Sequence, residues 1–310
     1  MRRPSLVLAF ALTAAPLCLA QRGSSARSDL LISTADLAAH LSDPKTVLLH
    51  VGDEDEYRAK HLPGARLVKL EDISDSDHSG AGLMLEMPSD ARLHDKLAEL
   101  GISDNSRIFI YYGDDWVSPA TRVYHTLEHA GLGDHTRLLD GSMQRWIREG
   151  RPVTDVVPPK KTGTLSALHP RANVVTAEYV KAHIGKPGVS IVDGRSSSFY
   201  DGVQSGRGHE GPQRSGHIAS AKSVPFESPY DDNNRLLSND QITALFAKAG
   251  IAPGDTIVGY CHIGQQATAM LFAARAIGHP VLLYDGSFED WSRRPASDYP
   301  VENPSAKGKP

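Results

Sequence analysis

The chain has 310 residues, of which 40% are apolar and 23% charged, with a formal net charge of -4. That length suits about two domains of roughly 150 residues each, and the composition is that of a folded globular protein. A mildly acidic chain has no bulk attraction to nucleic acid or an anionic membrane, so neither is expected as a partner and any basic site is local. The sequence opens Met1-Arg2-Arg3, runs apolar from Leu6 to Ala15 and reaches Leu19-Ala20 before Gln21. A charged start, a short apolar stretch and a small residue at the break form the pattern of a secretory signal peptide over residues 1–20. The apolar run is shorter than the roughly 20 residues that span a bilayer. The expectation is an exported protein, periplasmic or secreted, without stable membrane association. Removing the leader removes Cys18, one of two cysteines, and leaves Cys261 alone, so no intrachain disulfide is expected.

Beyond the leader, apolar runs at Val47–Val51, Arg107–Tyr112 and Arg137–Leu139 alternate with helical patterns, and Val189–Val192, Thr256–Tyr260 and Val281–Tyr284 repeat the arrangement. Strands alternating with helices imply an α/β fold, a parallel sheet layered by helices in each half. The halves also match in detail. Asp140-Gly141-Ser142 with Trp146 returns as Asp285-Gly286-Ser287 with Trp291, and Leu100-Gly101-Ile102 returns as Ala249-Gly250-Ile251. The segment His61-Leu62-Pro63-Gly64-Ala65 returns as His217-Ile218-Ala219-Ser220-Ala221. Two tandem domains follow, at 29–151 and 175–300, joined by a linker over 152–174 that contains Pro152, Pro158, Pro159, Lys160 and Lys161. Residues 21–28 and 303–310 read as loose termini.

Cys261 falls between the run Thr256–Tyr260 and a helical stretch, Ala267–Ile277, that ends at Gly278 with Pro280 beyond. The intervening Cys261-His262-Ile263-Gly264-Gln265-Gln266 must turn sharply, with Gly264 free to take a left-handed conformation, so that backbone N–H groups converge above a helix N-terminus. Such a cradle suits an anion and favours the thiolate, the reactive form of cysteine. Cys261 is therefore the candidate nucleophile, and the same cradle would hold a persulfide or an incoming sulfur oxyanion.

Three signatures now give a resemblance. They are Asp193-x-Arg195 followed by Gly216-His217-Ile218, the loop Cys261-x-x-Gly264-x-x-Ala267-Thr268, and Tyr284-Asp285-Gly286-Ser287 with Trp291. In order and spacing the sequence resembles the tandem-domain rhodanese family of thiosulfate and 3-mercaptopyruvate sulfurtransferases. The resemblance implies two rhodanese-like domains of which only the second is catalytic. No cysteine stands between residues 21 and 260, and the first domain's equivalent loop reads Tyr112-Gly113-Asp114-Asp115-Trp116. The first domain is thereby given a packing role, with the catalytic loop near the domain interface.

The resemblance also implies a substrate site formed by Arg195, His262, Ile263, Gly264, Gln265 and Gln266, supported by Asp193 and His217. The small partners would be a sulfur donor and a thiol or cyanide acceptor, with no metal and no organic cofactor. His262-Ile263 matches neither the basic pair usual after the cysteine in thiosulfate-specific members nor the Gly-Ser usual in mercaptopyruvate-specific ones. A further family arginine aligns with Phe199. The insertion Asp201–Ser215 carries Arg207, His209 and Arg214, and Arg207 and Arg214 are candidates for the missing positive charge.

Three rivals are weighed against this reading. A Cys-x5-Arg phosphatase needs an arginine six residues after the cysteine, where Ala267 stands, so a phosphoryl group would lose its bidentate partner. His125-Thr126-Leu127-Glu128-His129 spells an inverted zinc-peptidase pattern, but two histidines at helical spacing more commonly form a polar face. The third is a non-catalytic sulfur-binding or redox-sensing module, in which Cys261 is modified without turnover.

Overall fold

The computed structural model describes residues 27–79, 82–113, 116–208 and 211–308. The candidate leader, Cys18, Asp114, Asp115 and His209 lie outside the described residues.

The first domain runs α1 (Arg27–Leu30), β1 (Leu31–Ile32), α2 (Thr34–His40), β2 (Thr46–Val51), α3 (Glu54–Ala59), β3 (Arg66–Val68), α4 (Asp90–Glu99), β4 (Arg107–Tyr112), α5 (Val117–His129), β5 (Thr136–Leu139) and α6 (Met143–Arg148). The second runs β6 (Val174–Val175), α7 (Ala177–His183), β7 (Val189–Asp193), α8 (Ser197–Tyr200), β8 (Arg207–Gly208), β9 (Gly211–Pro212), β10 (His217–Ile218), β11 (Lys222–Ser223), α9 (Asn239–Lys248), β12 (Thr256–Tyr260), α10 (Gln266–Ala276), β13 (Val281–Tyr284), α11 (Ser287–Arg293) and β14 (Val301–Glu302). The two main sheets are ordered β1-β5-β4-β2-β3 and β6-β13-β12-β7-β11, and every neighbour pair in both is parallel. The repeat read from the sequence is thus a repeat of topology.

Alternation along the strands divides the cores. Leu48 and Phe109 point to one face of the first sheet, packed with Leu37, Met143 and Trp146. Their neighbours Leu49 and Ile110 point to the other face, whose core is continuous with the second domain through Ile257, Met270 and Leu271. Helices α5 and α10 lie in this shared layer and are buried over most of their surface. They face each other through matching positions: Thr121 Oγ1 and Thr268 Oγ1 are 2.9 Å apart, and Tyr124 meets Phe272 edge-on at 5.0 Å.

One turn further along, Glu128 is ion-paired with Arg275. The His125–His129 segment is therefore not the solvated polar face expected from its spacing. His125 and Glu128 are 4% and 3% exposed, and His129 Nδ1 lies 2.9 Å from Asn173 Oδ1. Among the described residues no group of three or more His, Cys, Asp or Glu could hold a metal ion, and no helix is long and apolar enough to cross a membrane.

The linker has a fixed course, and the expectation of loose termini is corrected for their described residues. The proline-rich segment after Pro152 is docked along the first domain: His61 and Thr154 exchange backbone hydrogen bonds of 2.8 Å, and Gly163 donates to Ala98 O at 2.8 Å. The described parts of the termini are tied down as well. Arg27 Nη1 and Nη2 donate to Leu237 O at 2.5 Å and Leu236 O at 2.6 Å in the second domain, and Ser305 N–H donates to Asp201 O at 3.0 Å. Backbone groups outside regular elements dock where partners are offered, and Pro304–Gly308 forms a short 3-10 helix.

The Glu128–Arg275 pair gives a stability test. Arg275→Met leaves a buried carboxylate short of its partner, so urea unfolding should show a loss of about 3 kcal/mol. Adding Glu128→Gln should recover part of that loss. A single variant as stable as the parent would show that the pair does not bind the domains.

Candidate active site

Cys261 follows the last residue of β12 and is fully buried. Its N–H donates to Ser287 Oγ at 3.1 Å, and that hydroxyl donates to Tyr284 O at 2.9 Å. The first turn of α11 then grips the loop: Phe288 N–H donates to Cys261 O and Glu289 N–H to His262 O, each at 3.0 Å. Ser287 sits at φ +51°, a left-handed conformation that is uncommon for a residue with a Cβ. Its counterpart Ser142 lies at φ -87°, so the strain belongs to the cysteine-bearing domain alone. Gly264 is at φ +80°, and a Cβ there would lie 2.7 Å from Asp285 O, so both the turn and the close approach require glycine. Among the described residues the N–H groups of His262 through Ala267 have no hydrogen-bond partner, which leaves a run of donors available to an anion.

The first domain reaches under this loop. Arg122, on α5, is fully buried, and its Nη1 donates to Asp285 Oδ1 at 2.5 Å and to Gly264 O at 3.1 Å. Nη2 donates to Leu85 O at 2.5 Å. Asp285 in turn accepts from Met87 N–H at 2.5 Å. The expectation that the catalytic loop lies at the domain interface is met by this ion pair. Sequence reasoning did not single out Arg122; the lone arginine in the middle of α5 was the available signal.

Asp193 and Arg195 form a closed pair. Arg195 Nε contacts both carboxylate oxygens at 3.0 and 3.1 Å, and Nη2 donates to Asp193 Oδ2 at 2.6 Å and to Gly216 O at 2.7 Å. Tyr260 donates its hydroxyl proton to Asp193 at 2.7 Å. The guanidinium carbon lies 4.0 Å from the centre of the Phe288 ring, the residue whose N–H holds Cys261 O. Arg195, expected at the substrate, therefore has its Nε and Nη2 committed to framing the cysteine loop.

The internal repeat tests which features are chemical. Leu62 N–H donates to Tyr111 hydroxyl at 3.0 Å, as Ile218 N–H does to Tyr260 at 3.1 Å. His61 stacks on Tyr57 at 4.1 Å and binds its carbonyl at 2.7 Å; His217 stacks on Tyr200 at 3.7 Å and binds its carbonyl at 2.8 Å. His217 thus performs a packing task that recurs where no cysteine exists. With Tyr111 set against Tyr260, strand register pairs His50 with Asp193, and Gly52 then occupies the position of Arg195. The Asp–Arg pair exists only beside Cys261.

The same superposition sets Gly113 against His262 and Glu56 against Phe199. In the first domain the Glu56 carboxylate lies where a Cβ on Gly113 would sit. In the second, Phe199 meets the His262 ring edge-on at 4.6 Å. Burial, with the Arg195 charge, pushes the His262 pKa down to about 4, so the ring is neutral near pH 7. Arg214 is not turned to this site: Nη1 donates to Tyr299 O at 2.8 Å and Nη2 to Trp291 O at the end of α11. The side chain of Arg207 lies outside the description; its backbone pairs with Pro212 in a short hairpin.

A cleft of about 740 Å³ opens where the domains meet, within the size range of small-molecule sites. Ile263, Gln265 and Gln266 of the loop line one side, and Asp53, Lys69, Leu85, Trp116 and Phe226 line others. A second hollow, of about 670 Å³ around Arg66 and Lys96, is lined by none of the loop residues.

The description "Rhodanese-like domain" fits residues 33–149 and again 176–294, and the chain belongs to the rhodanese family. Two relatives and one solved structure give the range. The chain is 30% identical over 280 residues to a sulfur carrier protein, TtuD, of Thermus thermophilus, covering 86% of this chain and 94% of that one. It is 30% identical over 241 residues to the thiosulfate sulfurtransferase of Rattus norvegicus, covering 77% and 80%. The crystal structure of SseA from Escherichia coli, described as a 3-mercaptopyruvate sulfotransferase, matches in fold with a TM-score of 0.72 at 24% identity, covering 83% and 98%. These relatives support an enzyme of the sulfurtransferase kind.

The burial of neutral His262 has a measurable consequence. Its folded pKa of about 4 is below the unfolded value of 6.5, so the unfolded state binds the extra proton first as pH falls. The stability contributed by the neutral ring is complete above about pH 6.5 and is lost as pH falls toward about 4. Urea unfolding at neutral pH and near pH 4.5 should show a smaller acid loss in His262→Gln than in the parent. Equal losses would place the ring in contact with solvent.

Proposed function

We propose that the protein transfers sulfane sulfur through a persulfide on Cys261, from thiosulfate or 3-mercaptopyruvate to a thiol or cyanide. The observation that carries this reading is the asymmetry of the repeat. The domain that holds the thiol also holds the Asp193–Arg195 pair, the left-handed Ser287 and a loop of unpaired N–H groups. The Cys261 thiolate attacks the outer sulfur of the donor and forms a new S–S bond. The donor's bond to that sulfur breaks, its electron pair leaving as sulfite or, after protonation at carbon, pyruvate. An acceptor thiolate or cyanide then attacks the sulfane sulfur and releases the Cys261 thiolate, so the cycle needs no outside oxidant or reductant. The loop amides face the charge carried by the transferring sulfur.

A second reading, a carrier that is loaded but does not turn over, draws support from the full burial of Cys261 and from the relative named as a sulfur carrier. Turnover separates the two. With either donor and cyanide present, the wild-type chain should release many equivalents of sulfite or pyruvate per protein, and Cys261→Ser should release none while keeping its far-UV dichroism. Release limited to one equivalent would favour the carrier, and undiminished release by Cys261→Ser would remove the cysteine from the reaction.

A further inference from the structure

The cations described around the cysteine loop are committed to partners. Lys69, which lines the cleft, is 2.9 Å from Glu54 and 3.9 Å from Glu71. Arg195 holds Asp193 through Nε and Nη2, Arg122 holds Asp285, and Arg214 holds carbonyl oxygens. Phe199 stands against His262. Asp53, Glu54 and Glu71 also line the cleft, so its charged groups are predominantly acidic.

The cleft does offer an apolar wall. Trp116 is 59% exposed, the largest side chain among the exposed hydrophobics, and meets Phe226 at 6.1 Å, T-shaped. Met84, Leu85, Pro119 and Ile263 continue the surface toward the loop. An inorganic dianion would enter past three carboxylates, with the lysine that lines the cleft already paired to Glu54. An organic group would gain free energy by covering the tryptophan.

We propose that this cleft selects an organic sulfur compound, its carbon skeleton lying on the Trp116–Phe226–Ile263 wall, over a small inorganic dianion. The inference rests on the persulfide reading of Cys261 and specifies the substrate class for that site. For a thiosulfonate R–SO2–S⁻, the Cys261 thiolate attacks the terminal sulfur. The S–S bond breaks and its electron pair leaves with the sulfinate R–SO2⁻, which leaves the persulfide on the protein.

The test uses the intact protein with three donors of graded bulk and charge: benzenethiosulfonate, methanethiosulfonate and thiosulfate. Each rate is divided by the rate of the same donor with a free small thiolate. Normalised kcat/KM for benzenethiosulfonate should exceed those for the other two by about 10-fold or more, and Trp116→Ala should bring the benzene-to-methane ratio close to one. Preference for thiosulfate, or a ratio untouched by Trp116→Ala, would overturn the inference. Thiosulfate preference that disappears in Arg207→Gln would identify the cation that defeats it.

Binding is read separately in Cys261→Ser. Of the three tryptophans, Trp146 and Trp291 are fully buried, so quenching of emission reports on Trp116. Benzenesulfonate should quench it, and sulfate at equal concentration should not. Quenching without any sulfur added to wild-type Cys261 by the donors would sink the persulfide reading and leave the cleft assignment standing. Sulfur loading without quenching would do the reverse.

Discussion

The guanidinium of Arg122 is buried beneath the cysteine loop of a domain to which it does not belong, and a buried ion is tolerated where its charge is paired; both Nη atoms are matched, while Nε has no acceptor among the described residues. The match is drawn from separated parts of the chain: the Asp285 carboxylate, the Gly264 carbonyl and the Leu85 carbonyl. Separating the domains would leave a cation and a carboxylate without partners, and it would also expose the apolar faces of α5 and α10. Loop geometry and domain docking are therefore one equilibrium. A domain without a thiol still shapes the turn on which the thiol sits.

Duplication supplies an internal control for the rest of the site. Tyr57, His61, Tyr111 and Trp146 repeat the contacts of Tyr200, His217, Tyr260 and Trp291, including indole N–H donation to Pro152 O at 2.8 Å and Pro300 O at 3.2 Å. Such contacts close the fold and need no chemistry to explain them. The differences collect in a few adjacent positions: His50 and Gly52 against Asp193 and Arg195, Gly113 against His262, and Glu56 against Phe199. At the first domain's turn a carboxylate of the chain itself fills the space. At the second, the turn carries a cysteine and leaves its amides unpaired.

Much of this was present in the linear sequence. The strands at Arg107–Tyr112 and Thr256–Tyr260 have the limits read from their apolar runs, because central parallel strands are covered on both faces and accept little else. The nucleophile and its turn were legible because cysteine and glycine are irreplaceable there for reasons of chemistry and dihedral angle. The partners of that turn were not. Arg122 and Gly264 are 142 positions apart, and nothing local in a helix says which carbonyl its arginine will meet. Arg195 and Arg214 both read as candidates for the substrate's charge, since a sequence displays charge but not the groups that neutralise it. His217 read as a support of the site because it lies in the resemblance motif; the stacking of His61 on Tyr57 shows the same geometry without a thiol.

That distinction between charge present and charge available bears on the proposed sulfur transfer. Arg195 raises the local positive potential, yet Asp193 cancels most of its reach beyond the pair. The loop's own open donors are backbone N–H groups, fixed in direction by the first turn of α10 and by the grip of α11 on Cys261 and His262. Fixed dipoles are effective over one or two atoms and need no reorganisation when charge moves onto sulfur. They suit the transferring sulfur itself better than the three oxygens of a sulfonate. Recognition of the remainder of a donor then falls to whatever surface adjoins the loop, and here that surface is a tryptophan, a phenylalanine and an isoleucine.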